Sequence, residues 1–160
     1  MSRPSPIVAT TAFVAAGAVL VGEVHVAEHA SIWFNAVLRG DTGAIVVGAR
    51  SNIQDLAVVH ELTTIGAGVS VGHGAIVHRA IVGDSVLIGM GAVLLSGSQV
   101  GPGAIVAAGS VVREGFEVPA GYLVAGVPAR VLRPVTATEQ QSIVDNAATY
   151  VGLAASYAAT

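Results

Sequence analysis

The sequence predicts a mainly β protein, a parallel β-helix of hexapeptide repeats followed by a C-terminal α-helix. The main support is an aliphatic residue that recurs, with two exceptions, at every sixth position over most of the chain. These residues are Val14, Leu20, Val26, Ile32, Leu38, Val47, Ile53, Val59, Ile65, Val71, Val77, Val82, Ile88, Leu94, Val100, Val106 and Val112. Such a period is typical of a solenoid whose short strands wind around one apolar core. Since three hexads make one coil, residues 18 apart are expected to lie about 4.8 Å from each other.

The six-residue period has two exceptions. Nine residues separate Leu38 from Val47, which predicts a bulge of three extra residues near 41–43. Only five residues separate Val77 from Val82. Irregularities of this kind can re-aim side chains, although a tolerated loop variation explains the shorter step nearly as well.

The end of the hexad pattern marks a change of structure. We expect an N-terminal segment and the β-helix over residues 1–133, and an amphipathic helix over 134–160, within a single domain. Thr136 and Glu139 have the spacing of a capping box at the start of that helix. Apolar residues then recur at helical spacing, which predicts that the helix packs on the prism. They are Ile143, Ala147, Tyr150, Val151 and Ala154.

The composition limits the possible classes of function. Hydrophobic residues make up 53% of the chain, and residues 85–112 carry no charge. Because glycines and Pro102 interrupt this segment at the hexad period, corners of a solenoid are favoured over a membrane span. The apolar residues 12–21 already follow the repeat, so a signal peptide is not predicted.

Charge and cysteine content exclude further classes. A net charge of −3 with seven basic residues predicts no nucleic-acid interface and no membrane-binding patch. The absence of cysteine excludes thiol catalysis and disulfides. It leaves the compartment open, and we expect a cytoplasmic protein.

Three histidines fall in register with the repeat. His60 and His78 are one coil apart at the same hexad position, and correction for the bulge adds Arg39 to their column. Asp55 and His73 are also 18 apart and form a second column around a corner. Two stacked imidazoles can share a divalent metal ion. The spacing alone favours a metal site modestly, since the repeat restricts the available phases and chance register is possible.

The position of His73 indicates an assembly. A short strand and a corner separate it from His78 within one chain. In a cyclic trimer with heterologous interfaces, His73 of one chain could complete the His60–His78 pair of its neighbour. The hypothesis is that the active site exists only between subunits.

Several segments, in order, resemble the γ-class carbonic anhydrase family. They are SIWFNAVLRGD (31–41), SNIQD (51–55), VVH (58–60), VGHGAIVH (71–78), VLIGMGA (86–92), AGVPAR (125–130) and YVGLA (150–154). This ordered set is far more specific than hexapeptide repeats, which many acyltransferases share. The resemblance implies a left-handed parallel β-helix assembled as a homotrimer, with metal ions at the subunit interfaces.

The resemblance also implies a metal-dependent reaction. His60 and His78 would be ligands from one subunit and His73 the ligand from the next. Zinc is the expected metal, and Fe²⁺ or Co²⁺ would accept similar ligands. A metal-bound hydroxide would attack CO2 to give bicarbonate.

Five polar residues acquire expected roles from the family pattern. Arg39, Asp41 and Asp55 would form ion pairs that link subunits. Gln54 and Asn52 would lie beside the metal-bound water, where Gln54 could orient hydroxide or CO2.

Departures from the family pattern concern proton transfer. Active members carry a glutamate where this chain has Thr42, and Thr63 takes the place of a further acidic residue. Glu61 follows the first histidine, but strand alternation predicts that it points to the other face. We therefore expect weak activity or dependence on buffer as proton acceptor. Arg79 and Ala80 also depart from the pattern.

Two alternatives to CO2 hydration stay open. One is acyl transfer or acyl-CoA thioester hydrolysis, by analogy with other hexapeptide proteins. The other is a metal-binding scaffold with little activity. Fold alone does not decide between them.

Overall fold

The hexad repeat forms strands of mostly two or three residues that stack in parallel from coil to coil. The computed structural model describes residues 4–159, so residues 1–3 and Thr160 of the predicted segments lie outside the described residues. Three ladders of strands make the faces of a prism, and one α-helix lies along the first face. The predicted parallel β-helix is confirmed.

The strands of each face are neighbours in one hydrogen-bonded ladder. The first face consists of β2 Phe13–Val14, β4 Ser31–Ile32, β6 Asn52–Ile53, β9 Ser70–Val71, β12 Leu87–Ile88, β15 Ile105–Val106 and β18 Tyr122–Gly126. The second face consists of β7 Val58–His60, β10 Ile76–His78, β13 Val93–Leu94 and β16 Val111–Val112. The third face consists of β8 Thr63–Ile65, β11 Ile81–Val82, β14 Gln99–Val100 and β17 Glu117–Val118.

Four longer or terminal strands complete the sheets. β3 Val19–Val26 and β5 Val37–Val47 pair with each other, and β5 continues from the second face into the third. β1 Ile7–Val8 pairs with β3, and β19 Ala129–Pro134 returns antiparallel to β18. The second and third faces are therefore joined through β5.

From Val26 to Val112 the aliphatic position of each hexad is buried in the prism, whereas Val14 in the first coil is 39% exposed. Ile32, Ile53 and Val71 pair in register from coil to coil on the first face, and all three are fully buried. Val59 and Val77 do the same on the second face. Because one face of these strands is buried, a slip by one residue would expose the apolar set, so the register is strongly specified.

The predicted bulge near residues 41–43 is confirmed. Gly22 pairs with Gly40, but Val24 already pairs with Ile45, so three extra residues are accommodated in β5. Gly22 has a φ of +80°, and a Cβ at this position would overlap the Gly40 carbonyl. Glycine is therefore required where the two strands approach each other at the bulge.

The C-terminal helix α1, Ala137–Ala158, packs on the first face. The predicted capping box is confirmed, since the Glu139 N–H donates to the Thr136 hydroxyl and the Thr136 N–H donates to the Glu139 carboxylate. Ile143, Ala147 and Ala154 are buried against β2, β4, β6 and β9. Within residues 4–159, no helix combines the length and apolar character that crossing a membrane requires.

We expect the free energy of unfolding of Glu139→Gln to depend less on pH, at the acid end of the range, than that of the unsubstituted protein. Hydrogen bonds from Arg133 and from the Thr136 N–H lower the pKa of Glu139 from 4.5 to about 2. Because the folded-state pKa is the lower one, the carboxylate contributes fully above pH 4.5, and its contribution is lost as the pH falls toward 2. Urea unfolding over this range measures the free energy of unfolding.

Asp145→Asn is the matched control, because the Asp145 carboxylate on the same helix accepts a hydrogen bond from Gln141 rather than from an arginine. Equal slopes of unfolding free energy against pH in Glu139→Gln and the unsubstituted protein would contradict the assignment.

Candidate metal centre

Two histidines stack at the end of neighbouring strands on the second face. His60 ends β7 and His78 ends β10, and the two residues pair in register. Arg39 pairs with His60 one coil earlier, so the predicted column of three residues is confirmed. The two imidazole rings are nearly parallel, with 5.0 Å between their centroids.

The ring nitrogens of this pair converge on one point. His60 Nδ1 and His78 Nδ1 are 3.1 Å apart. Two nitrogens that bind one tetrahedral zinc ion lie about 3.3 Å from each other. The separation therefore fits a shared metal, and it equally fits an N–H···N hydrogen bond between two neutral rings.

Asp41 fixes the orientation of the His60 ring from behind. His60 Nε2 lies 3.5 Å from Asp41 Oδ1, and neither buried atom has a hydrogen-bond partner among the described residues. Asp41 Oδ2 accepts a hydrogen bond of 2.8 Å from Arg39 Nη1. A carboxylate behind one ring nitrogen is the usual arrangement when the other nitrogen binds a metal. The donor set and its support thus fit a divalent ion.

The environment of Asp41 favours its charged form. Burial acts to raise the pKa of Asp41, but the hydrogen bond and the positive charge of Arg39 outweigh it and lower the pKa below its ordinary value. Asp41 is therefore ionised at neutral pH and attracts the Nε2–H of His60. A proton on Nε2 would leave Nδ1 as the nitrogen that can act as a ligand.

His73 lies at the opposite edge of the second face. It follows β9 at a corner, and its Nδ1 lies 2.8 Å from Asp55 Oδ2. The predicted column of Asp55 and His73 is confirmed, and the Gly74 N–H also donates to the Asp55 carbonyl. Because Nδ1 faces the carboxylate, Nε2 is the nitrogen available to a metal. The His73 side chain is 46% exposed and does not join His60 and His78 within the chain.

Asn52 and Gln54 lie on the side of His73. Gln54 Nε2 donates to Asn52 Oδ1 at 3.0 Å, and Asn52 Nδ2 donates to Ser70 Oγ at 2.9 Å. The Ser70 hydroxyl donates in turn to Asn146 Oδ1 of α1 at 2.8 Å. This polar chain joins the first face to the helix, and neither Ser70 nor Asn146 was singled out from the sequence. Asn146 has no repeat partner that could have identified it.

A cavity of about 400 Å³ lies between the first face and α1, next to His73. Gln54, Met90, Asn146 and Tyr150 line it together with the histidine. Burial and the charge of Asp55 raise the pKa of Tyr150 above its ordinary value, so its hydroxyl stays protonated at neutral pH. The cavity is mostly apolar, and its polar lining comes from Gln54, His73, Asn146 and Tyr150.

The expectation that Glu61 points away from the histidines is wrong. Its carboxylate lies with the imidazoles, and one ligand atom from each of His60, Glu61 and His78 lies within 4.8 Å of the others. Strand alternation stops at His60 because β7 ends there and Leu62 turns the chain with a φ of +49°. Glu61 therefore belongs to a corner.

The unusual residues after His78 have structural roles. Arg79 Nε lies 3.3 Å from Glu61 Oε1, and the two residues are one coil apart. Their separation of 18 residues, one coil, is the sequence signal that identifies this pair. Ala80 is fully buried in the core, where it fills the inward position of the five-residue step.

Comparisons with known proteins extend over nearly the whole chain. Residues 79–114 match the family described as bacterial transferase hexapeptide (six repeats). A probable carbonic anhydrase of Methanocaldococcus jannaschii is 52% identical over 144 residues, which cover 88% of this chain and 91% of the relative. The mitochondrial gamma carbonic anhydrase 1 of Arabidopsis thaliana is 42% identical over 97% of this chain, which spans 60% of that relative.

A solved structure has the same architecture. A hexapeptide transferase family protein from Anaplasma phagocytophilum superposes with a TM-score of 0.93 at 40% identity. The superposition covers 95% of this chain and 92% of the other. The likeness therefore includes the C-terminal helix as well as the coils.

Asp41→Asn should weaken metal binding by about 10–100-fold, as loss of a carboxylate behind a histidine ligand usually does. The amide cannot hold the Nε2–H of His60 by charge, so the ring loses its preferred tautomer. Competition with a chelator measures the affinity for Zn²⁺. Asp84→Asn is the control, because Asp84 accepts a backbone hydrogen bond from Ala67 away from the histidines. Unchanged zinc affinity in Asp41→Asn would exclude this role for Asp41.

Proposed function

Because this chain belongs to the γ-class carbonic anhydrase family, we propose that it catalyses the reversible hydration of CO2 to bicarbonate at a metal held between the subunits of a homotrimer. The observation that carries the proposal is the convergence of two imidazole nitrogens, His60 Nδ1 and His78 Nδ1, at 3.1 Å. Carboxylates behind His60 and behind His73 leave one nitrogen of each ring free to bind.

The proposed ligands are His60 and His78 of one subunit and His73 of the next. His73 and His78 lie at opposite edges of the second face, so one chain cannot bring them to one ion. Rotation about a threefold axis can, because a heterologous interface places one edge of a subunit against another edge of its neighbour. Large apolar side chains are exposed around the histidine pair, including Leu62 at 54% and Ile76 at 40%, and an interface would bury them.

When bound, a divalent ion with three neutral imidazole ligands and one open position lowers the pKa of water to about 7, which supplies hydroxide for attack on CO2 at neutral pH. Imidazole ligands suit zinc, and they also suit iron and cobalt. We propose zinc as the metal.

The residues of the chain would divide the remaining work. Asp41 and Asp55 hold the rings of His60 and His73 in the tautomer that leaves the ligand nitrogen unprotonated. Gln54 and Asn52, which are buried near His73, would orient the reactants by hydrogen bonds once subunits assemble. Because Thr42 replaces the family glutamate, proton export would depend on buffer and turnover would be slow.

A second candidate function is acyl transfer. The likeness to a hexapeptide transferase family structure and the largely apolar cavity beside α1 favour it. Turnover of acetyl-CoA by the zinc-loaded protein, in the absence of CO2 hydration, would support this candidate. Metal binding without either activity would indicate a scaffold.

His78→Ala should lose most of its metal and reduce CO2 hydration to the rate of the buffer. Only His60 and His73 of the next subunit then remain as imidazole ligands, so the affinity of the site falls. Metal analysis and a stopped-flow hydration assay on the same sample give both quantities. His25→Ala is the matched control, since His25 is exposed and faces Glu23 on another part of the chain. Full metal content or full hydration activity in His78→Ala would count against the proposed site.

Arg39→Ala should weaken the homotrimer. We propose that the Arg39–Asp41 pair becomes buried at the interface, where loss of one partner costs about 3–5 kcal/mol. Analytical ultracentrifugation over a dilution series measures the association. Arg133→Ala removes an arginine from another ion pair, that with Glu139, and should leave association unchanged. An Arg39→Ala protein that stays trimeric at the lowest concentration would contradict this assignment.

A further inference from the structure

An ion pair lies at the rim of the two stacked histidines. Glu61 directly follows His60, Arg79 directly follows His78, and Arg79 Nε lies 3.3 Å from Glu61 Oε1. The Glu61 side chain is 11% exposed, whereas the Arg79 side chain is 46% exposed. The carboxylate is therefore enclosed beside the imidazoles, and the guanidinium covers it from the solvent side.

The backbone around Glu61 is held in place by the coils on both sides. The Glu61 N–H donates to the Arg39 carbonyl, and the Arg79 N–H donates to the His60 carbonyl. The Thr63 hydroxyl donates to the His60 carbonyl at 2.7 Å, with a second contact of 3.2 Å to the Glu61 carbonyl. This corner is thus as fixed as the strands that it joins, and the carboxylate has a defined position relative to the rings.

The three side chains have the reach of a common ligand set. Their potential ligand atoms lie within 4.8 Å of one another. Atoms that bind one metal at about 2.1 Å are at most about 4.2 Å apart. The separations are therefore close to those of a common ligand set. Two imidazoles and a carboxylate are a known ligand set for zinc, and for iron with open positions.

We propose that Glu61 is a further metal ligand from the same chain as His60 and His78, and that Arg79 competes with the metal for its carboxylate. The inference rests on the proposed function only in taking the two histidines as ligands. Its consequence is that each chain carries three ligands of its own, so that with His73 of a neighbouring subunit the ion would have four protein ligands and would bind water only as a fifth ligand. The carboxylate would also reduce the net charge of the occupied site.

Two substitutions with opposite expected effects test the inference. Glu61→Gln keeps the shape of the side chain but removes its charge, and should weaken Co²⁺ binding by at least about tenfold. The visible absorption of bound Co²⁺ should change as well, because one ligand is lost. Arg79→Ala removes the competitor and should tighten Co²⁺ binding several-fold. Alanine is chosen over glycine because Arg79 has a φ of +50°, and glycine would relax the backbone at the same time.

The same chemical changes at a second ion pair serve as controls. Glu139→Gln and Arg133→Ala disrupt the pair at the start of α1 and should leave Co²⁺ affinity and absorption unchanged. All variants are titrated as the full assembled protein. Unchanged affinity and absorption in Glu61→Gln would overturn the inference. Equal weakening by Glu61→Gln and Arg79→Ala would also overturn it, because the pair would then only support the fold of the corner. If Glu61→Gln does not fold, the Co²⁺ affinity of Arg79→Ala decides. Tighter binding supports the inference, and weaker or unchanged binding overturns it.

A CO2 hydration assay on the same samples separates this inference from the proposed function. Glu61-dependent Co²⁺ binding without hydration would refute the proposed function and leave the additional ligand standing. Hydration by a protein whose Co²⁺ binding is independent of Glu61 would do the reverse.

Discussion

The parallel register between successive coils is the constraint on which the candidate site depends. Four polar pairs are each separated by one coil: Asn52 and Ser70, Asp55 and His73, His60 and His78, and Glu61 and Arg79. None of these pairs selects the register, because the buried aliphatic ladder already specifies it. The apolar core therefore sets the positions of these polar groups. Hydrogen bonds and ion pairs between them are not needed for the register. No loop has to close to bring these polar groups together, because the coils already hold them in place.

The two edges of the second face carry the histidines of the proposed metal site. One edge has the paired imidazoles with Asp41 behind them, and the other has His73 with Asp55 behind it. In a solenoid these edges stay apart, because the strands between them keep a fixed length. The proposed function therefore needs a second copy of the chain to bring the two edges together. The polar chain from Gln54 to Asn146 shows that the His73 edge is also connected to α1.

The period of the repeat made the fold and most side-chain pairs predictable, whereas the corners were less so. The alternation rule failed at Glu61 because it assumes that a strand continues, and β7 ends one residue earlier. The place of α1 could not be derived either: Ser70 and Asn146 are 76 residues apart, and no repeat relates them. Trp33 packs against Tyr150, with ring centroids 5.3 Å apart, and no repeat relates these two residues either. The hexad period also leaves the winding direction open, which only the resemblance supplied.

Enclosed carboxylates near the histidines require partners before any metal binds. An unpaired charge removed from water destabilises a fold strongly. Arg39 is the ion-pair partner of Asp41, and Arg79 is the ion-pair partner of Glu61. In both cases the arginine is the more exposed member, so it covers the carboxylate from the solvent side. The charge of each carboxylate is therefore balanced within its own chain, before any metal would bind.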